Sequence, residues 1–82
     1  EAVYVADNGK GLCFLENDGK LRLLAGFSTV QSLEAADGYV LAKLDNDGES
    51  FWLLLDDNGN IAGAVMNARE VCYAGGKIYV EK

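Results

Sequence analysis

Six dipeptides that favour tight reversals cut this chain into short pieces: Asn8-Gly9, Asp18-Gly19, Asp37-Gly38, Asp47-Gly48, Asn58-Gly59 and Gly75-Gly76. A two-residue hairpin loop needs positive φ at its centre, which Gly adopts freely and Asn or Asp tolerate. Between these breakers lie apolar or alternating runs of about five to seven residues, the usual length of a strand. Ordinary helices barely fit between reversals so closely spaced. The chain has no Pro, so no run is demoted from strand on that ground.

The spacing therefore predicts an all-β, antiparallel meander of about nine short strands, near residues 2–7, 11–16, 20–25, 29–35, 39–45, 50–56, 61–66, 69–74 and 77–81. The run Ser50-Phe51-Trp52-Leu53-Leu54-Leu55-Asp56 is apolar at consecutive positions, so it reads as a central strand covered on both faces. Val71-Cys72-Tyr73 and Ile78-Tyr79-Val80, joined across Ala74-Gly75-Gly76, form the clearest hairpin. Two segments compete for short helix. Ser28-Thr29-Val30-Gln31 and Asn67-Ala68-Arg69-Glu70 both match a capping box, and Phe27, Val30 and Leu33 recur at helical spacing. The β reading is preferred, because each segment leads into a hairpin signal and helices of two turns are weak in isolation.

At 82 residues, half of them apolar, the chain has room for one domain with a small core. Its turns repeat. Gly9, Gly19 and Gly38 are followed by Gly48, Gly59 and Gly76 at offsets of 39, 40 and 38. Leu12-Cys13-Phe14-Leu15-Glu16-Asn17-Asp18-Gly19 lies over Trp52-Leu53-Leu54-Leu55-Asp56-Asp57-Asn58-Gly59. The reading is a single all-β domain over residues 1–82, with internal repeats 2–38 and 39–76 and a final strand 77–81. A period near 40 with four short strands suits a propeller blade. Two blades cannot close a ring, which leaves a longer array, an assembly of copies joined through strand edges, or a small self-closed barrel or sandwich. For a lone chain the barrel or sandwich ranks first.

The unit around Phe51-Trp52, Asp56 and Gly59, followed by the Gly75-Gly76 turn, resembles a WG-type repeat of bacterial proteins. Leu53 stands where that pattern has Gly after Trp, and Leu12 stands where the first copy would have Trp. The resemblance implies a non-enzymatic, propeller-like or solenoid-like β array, frequent in exported or surface proteins. The first residue is Glu1 rather than Met, so a removed leader would favour such a location.

Chemistry is constrained by what is missing. There is no His, so Ser-His and Cys-His nucleophile pairs are unavailable, and no phosphate-binding Gly loop occurs. Thirteen acids against seven bases give a net charge of −6, which repels nucleic acid and anionic membranes. No apolar run approaches the length that spans a bilayer. Cys13 and Cys72 read as two small buried hydrophobes, with a single disulfide as the alternative. Two Cys without His do not make a zinc site.

Asp45, Asp47 and Glu49 gather at one turn, and Asp56 and Asp57 at another. The helix-loop-helix calcium pattern fails at the first because Lys43 and Leu54 occupy ligand positions, and at the second because Leu54 opens it. These acids read as solvated turn residues, so no cofactor or metal is expected. Core filling is the plain role for the aromatics; Trp52, Tyr39 and Tyr79 are the candidates for a binding platform. The expected function is a non-catalytic binding or scaffold module recognising protein or glycan through an exposed sheet face. The alternative is a small acidic inhibitor that blocks a basic site on another macromolecule, which requires the turn acids to share one surface.

Overall fold

The computed structural model describes residues 3–7 and 11–82, so the Asn8-Gly9 turn lies outside the described residues. It is all-β, with nine strands in order: β1 (Tyr4–Asp7), β2 (Gly11–Leu15), β3 (Leu21–Gly26), β4 (Thr29–Ala36), β5 (Tyr39–Asn46), β6 (Glu49–Leu55), β7 (Ile61–Met66), β8 (Glu70–Ala74) and β9 (Lys77–Glu81). Every pairing is antiparallel and between sequence neighbours. The strands form three sheets, β1-β2-β3, β4-β5-β6-β7 and β8-β9. No closed barrel forms among the described residues, so the arrangement is an open meander folded into layers.

The turns divide into two kinds. Asp37-Gly38, Asp47-Gly48 and Gly75-Gly76 have positive φ at both central residues, as a two-residue hairpin loop requires. Asp18-Gly19 and Asn58-Gly59 have it only at the Gly. There the loop is one residue longer: the Glu16 amide donates to the Lys20 carbonyl at 2.8 Å and the Asp56 amide to the Asn60 carbonyl at 3.0 Å. A left-handed Gly supplies the extra reversal.

Neither capping-box segment is helical. Phe27 (φ 55°) and Asn67 (φ 59°) take left-handed conformations, and at these bends the chain leaves one sheet for the next. Ser28 Oγ donates to the Gly26 carbonyl at 3.1 Å instead of capping a turn ahead of it. A two-turn helix offers few contacts of its own, whereas the extended path delivers Val30 and Val71 to the two cores.

Those cores explain the layering. Between the first and second sheets pack Leu12, Ala42, Leu44, Leu53 and Leu55. Between the second and third pack Leu41, Trp52, Leu54 and Val71. Strands β5 and β6 feed both, odd and even positions going to opposite faces as the pleat demands. β6 is thus the doubly covered strand its unbroken apolar run predicts.

Spacing recurs along the chain. β2 ends at Leu15 and β6 at Leu55; β3 spans Leu21–Gly26 and β7 spans Ile61–Met66; the left-handed bends follow at Phe27 and Asn67. Each pair is separated by 40 residues.

Candidate binding faces

The first sheet has two unlike faces. Tyr4, Phe14 and Arg22 share one row across β1, β2 and β3. The Tyr4 and Phe14 rings meet at 5.2 Å between centroids, and the Arg22 guanidinium lies 5.4 Å above the Phe14 ring. This inner face reaches the second sheet. The Tyr4 hydroxyl donates to the Asp56 carbonyl, and Arg22 Nη2 donates to the Asn58 carbonyl at 3.2 Å. Burial, and next the Asp56 carboxylate, hold the Tyr4 phenol above its ordinary pKa. The Glu16 carboxylate accepts a hydrogen bond from Arg22 Nε.

Alternation puts the residues between these on the outer face. They are Val3, just ahead of β1, Val5 on β1, Cys13 and Leu15 on β2, and Leu21 and Leu23 on β3. Val3 is 45% exposed, Leu21 42% and Leu23 57%, while Cys13 at the centre of the face is buried. The two rows cover about 14 Å across the strands and about 13 Å along them, from strand spacing and rise.

Phe27 is the second feature. It is 98% exposed and sits at positive φ, a conformation that a bulky side chain adopts only under strain. Asn67 occupies the matching bend with a side chain that tolerates it.

The aromatic candidates do not form a platform. Trp52 is 2% exposed and belongs to the second core, with the Lys43 ammonium 5.4 Å from its ring centroid. Tyr39 packs edge-on against Tyr73, centroids 5.2 Å apart. Tyr79 alone is open, at 54%. It lies opposite Cys72 on the outer face of β8-β9, between the pairs Glu70–Glu81 and Ala74–Lys77.

The acidic candidates fall at opposite ends of one strand. Asp45, Asp47 and Glu49 surround the β5-β6 turn, whereas Asp56 and Asp57 open the β6-β7 turn. The seven residues of β6 hold the groups about 20 Å apart. Asp47 and Glu49 line a cleft of about 520 Å³ whose other walls include Phe51, Met66 and Asn67. Asp56 is occupied by its own turn. Its Oδ1 accepts the Asn58 amide at 2.8 Å and the Asn60 amide at 2.9 Å. Hydrogen bonds from Asn60 and then Asn58 push its carboxyl below the ordinary value. Among the described residues no group of three or more Cys, Asp or Glu is placed to hold a metal.

Cys13 and Cys72 are both free. They lie in the first and third sheets, on either side of the second, so the disulfide alternative is not realised. The expectation that both are buried holds for Cys13 only, because Cys72 points away from the core that Val71 enters. Among the described residues no helix is long and apolar enough to cross a membrane. The chain matches no protein-family model, no curated protein and no solved structure.

Two features escaped the reading of the sequence. The outer face of β1-β3 was signalled by Leu12-Cys13-Phe14-Leu15 and by Leu21, Leu23 and Leu24, which supply apolar side chains to both sides of their strands. Phe27 gave no such signal, because its spacing with Val30 and Leu33 mimics a helix face.

Proposed function

We propose that this chain is a non-catalytic binding or scaffold module that recognises another protein through an exposed sheet face, the outer face of β1-β3. One observation carries the reading: on the outer side of the first sheet Val3, Leu21 and Leu23 stand in water beside Cys13 and Leu15. Water contact with such a patch is unfavourable by roughly 25 cal/mol for each Å² left uncovered. The strained, exposed Phe27 at the end of β3 adds an aromatic of the type that anchors protein interfaces. Protein is favoured over glycan because Trp52 and Tyr39 are engaged internally and Tyr79 stands alone. The inhibitor alternative loses ground because the acids divide between the two ends of β6. The complete absence of His supports a role without acid–base catalysis.

The 40-residue spacing of strands, turns and bends supports reading the chain as tandem blade-like repeats resembling the WG type. In that reading Val5, Cys13 and Leu15 correspond to Ala42, Leu53 and Leu55. The latter three form the face of the second sheet that the first sheet covers.

Capture experiments with wild type and Leu23→Lys test the module reading. A protein held by the wild type and released by Leu23→Lys supports it. Equal capture by both, with the fold intact by circular dichroism, removes the outer face from the account.

A further inference from the structure

We infer that β9 is a pairing edge and that its occupant is β9 of a second copy of this chain, antiparallel about a twofold axis at Tyr79. The contact uses none of the residues of the outer β1-β3 face and goes beyond the reading built on them. Its first support is an unused row of main-chain groups. Gly75 and Gly76 are both left-handed, so β8 and β9 form a two-residue hairpin in which Ala74 and Lys77 exchange both main-chain bonds. Alternation then turns Tyr79 toward Cys72 and Glu81 toward Glu70. The Glu81 carbonyl also accepts the Arg69 amide at 2.7 Å. Ile78 and Val80 accordingly direct their N–H and C=O groups away from β8, and among the described residues no strand lies on that side.

Other edges are blunted. Among the described residues the three sheets end in β1, β3, β4, β7, β8 and β9. β3, β4 and β7 each carry an extra residue, Leu24, Gln31 and Ala62, where the register shifts. Such a bulge twists an edge strand away from an added partner. β9 has none: its register runs unbroken from Lys77 to Glu81, and all its residues are exposed. β1 and β8 are regular too, but each holds an acid without a base.

Charge selects the occupant. β9 reads Lys77-Ile78-Tyr79-Val80-Glu81, with a base and an acid at equal distances from Tyr79. An antiparallel copy centred on Tyr79 sets Ile78 opposite Val80, so the outward groups of both residues are satisfied in both copies. It also sets Lys77 of each copy opposite Glu81 of the other. Sliding the register by two residues puts Tyr79 opposite Lys77 or Glu81 and loses both ion pairs. Glu81 gains from a base there, because it already faces Glu70 across β8-β9 and its ion pair with Arg69, at 3.3 Å, is an exposed one. On the other side of the strand Ile78 and Val80, 37% and 43% exposed, cover each other. The joined hairpins make a sheet as wide as the four-stranded second sheet, where a two-stranded sheet alone is marginal. A twofold contact of this kind closes at two chains.

Sedimentation velocity from about 10 µM to 1 mM, in buffer of physiological salt, measures the association. The mass of the wild type should rise from one chain toward two and stop there. Lys77→Glu sets acid against acid in both pairs and should move the midpoint at least about tenfold higher in concentration. That variant also gains negative charge overall, so the deciding protein is the exchange of Lys77→Glu with Glu81→Lys, which keeps the net charge and should restore the wild-type midpoint. Val80→Pro removes an N–H that β8 does not use and should abolish association with the circular dichroism spectrum unchanged; if it unfolds, the exchange variant still decides. The Ile78 and Val80 amides should exchange slowly with deuterium only at the high end of the concentration range.

A wild type that stays monomeric throughout overturns the proposal, and so does growth beyond two chains. So do an exchange variant no better than Lys77→Glu and amide exchange at Ile78 and Val80 that ignores concentration. Leu23→Lys separates this contact from the proposed binding face. It should leave the midpoint where it is, and a dimer lost with Leu23→Lys would move the contact to the outer face of β1-β3 and overturn the assignment to β9.

Discussion

The turn closing β2 onto β3 and the turn closing β6 onto β7 share a backbone and differ in their surroundings. Each brings a strand back through a loop with a left-handed Gly, at φ 87° for Gly19 and 80° for Gly59. Around Gly19 the place where a Cβ would stand is open. At Gly59 that place is taken: Phe14 Cγ and Arg22 Nη2 both lie 2.5 Å from it. The same local signal thus serves a solvent loop in one case and a contact between sheets in the other. What separates them is position in the stack. The first sheet is covered on one face, while the second is covered on both and its turn meets the inner face of its neighbour.

Substitution at the two glycines gives the largest contrast. Gly59→Val should cost about 4 kcal/mol, from backbone strain together with overpacking against Phe14. Gly19→Val should cost about 1–2 kcal/mol, from strain alone. Urea unfolding of both variants reads the difference, and equal losses would erase the distinction between the turns.

Leu55 and Leu15 end matching strands and extend the comparison from turns to faces. Leu55 is fully buried between the first two sheets, so Leu55→Ala should lose about 2–5 kcal/mol. Leu15 is half-buried on the outer face, and Leu15→Ala should lose about 1 kcal/mol. A Leu15 variant as damaging as the Leu55 variant would mean that the outer face is covered in the monomer.

Exchanging the residues of the two bends has a smaller effect. Phe27→Asn should raise stability by about 1 kcal/mol, because Asn accepts the left-handed conformation more readily and the Phe ring makes little contact to lose. Asn67→Phe should lower it by a similar amount. Thermal melts of the pair, beside partner capture by Phe27→Asn, show whether strain at Phe27 is retained for binding.

The smallest contrast is in acid. Asp56 accepts the Asn58 and Asn60 amides through one oxygen, and these bonds lower its folded pKa. Stability from this carboxylate is therefore complete above the unfolded pKa of about 3.9 and is lost as pH falls through the folded value. Glu16, in the matching place, spends its carboxylate on Arg22 instead. Unfolding midpoints followed from pH 5 downward should fall less steeply in Asp56→Ala than in wild type. Parallel curves would show that the Asp56 bonds contribute nothing.

Strand positions were legible because their causes are local. Asp37-Gly38, Asp47-Gly48 and Gly75-Gly76 each fold back through left-handed residues, and the segments between them have no alternative to extension. The unbroken apolar run of β6 likewise announced two covered faces. The bends at Phe27 and Asn67 were less legible, since a capping pattern and a left-handed corner draw on the same small polar residues. The candidate site was least legible. Trp52 and Tyr79 are both aromatics in strands, yet one fills a core and the other faces water, depending on which layer follows.

By itself the sequence determined an antiparallel meander of nine strands, because φ preferences at glycine-containing turns and the two-residue alternation of strands act over a few neighbouring residues. Only the tertiary structure decided that the strands part into three layers, that Gly59 is enclosed while Gly19 is open, and that Val3, Leu21 and Leu23 are left uncovered. Coverage depends on which sheet stacks on which, and that is settled by contacts between residues some 40 positions apart.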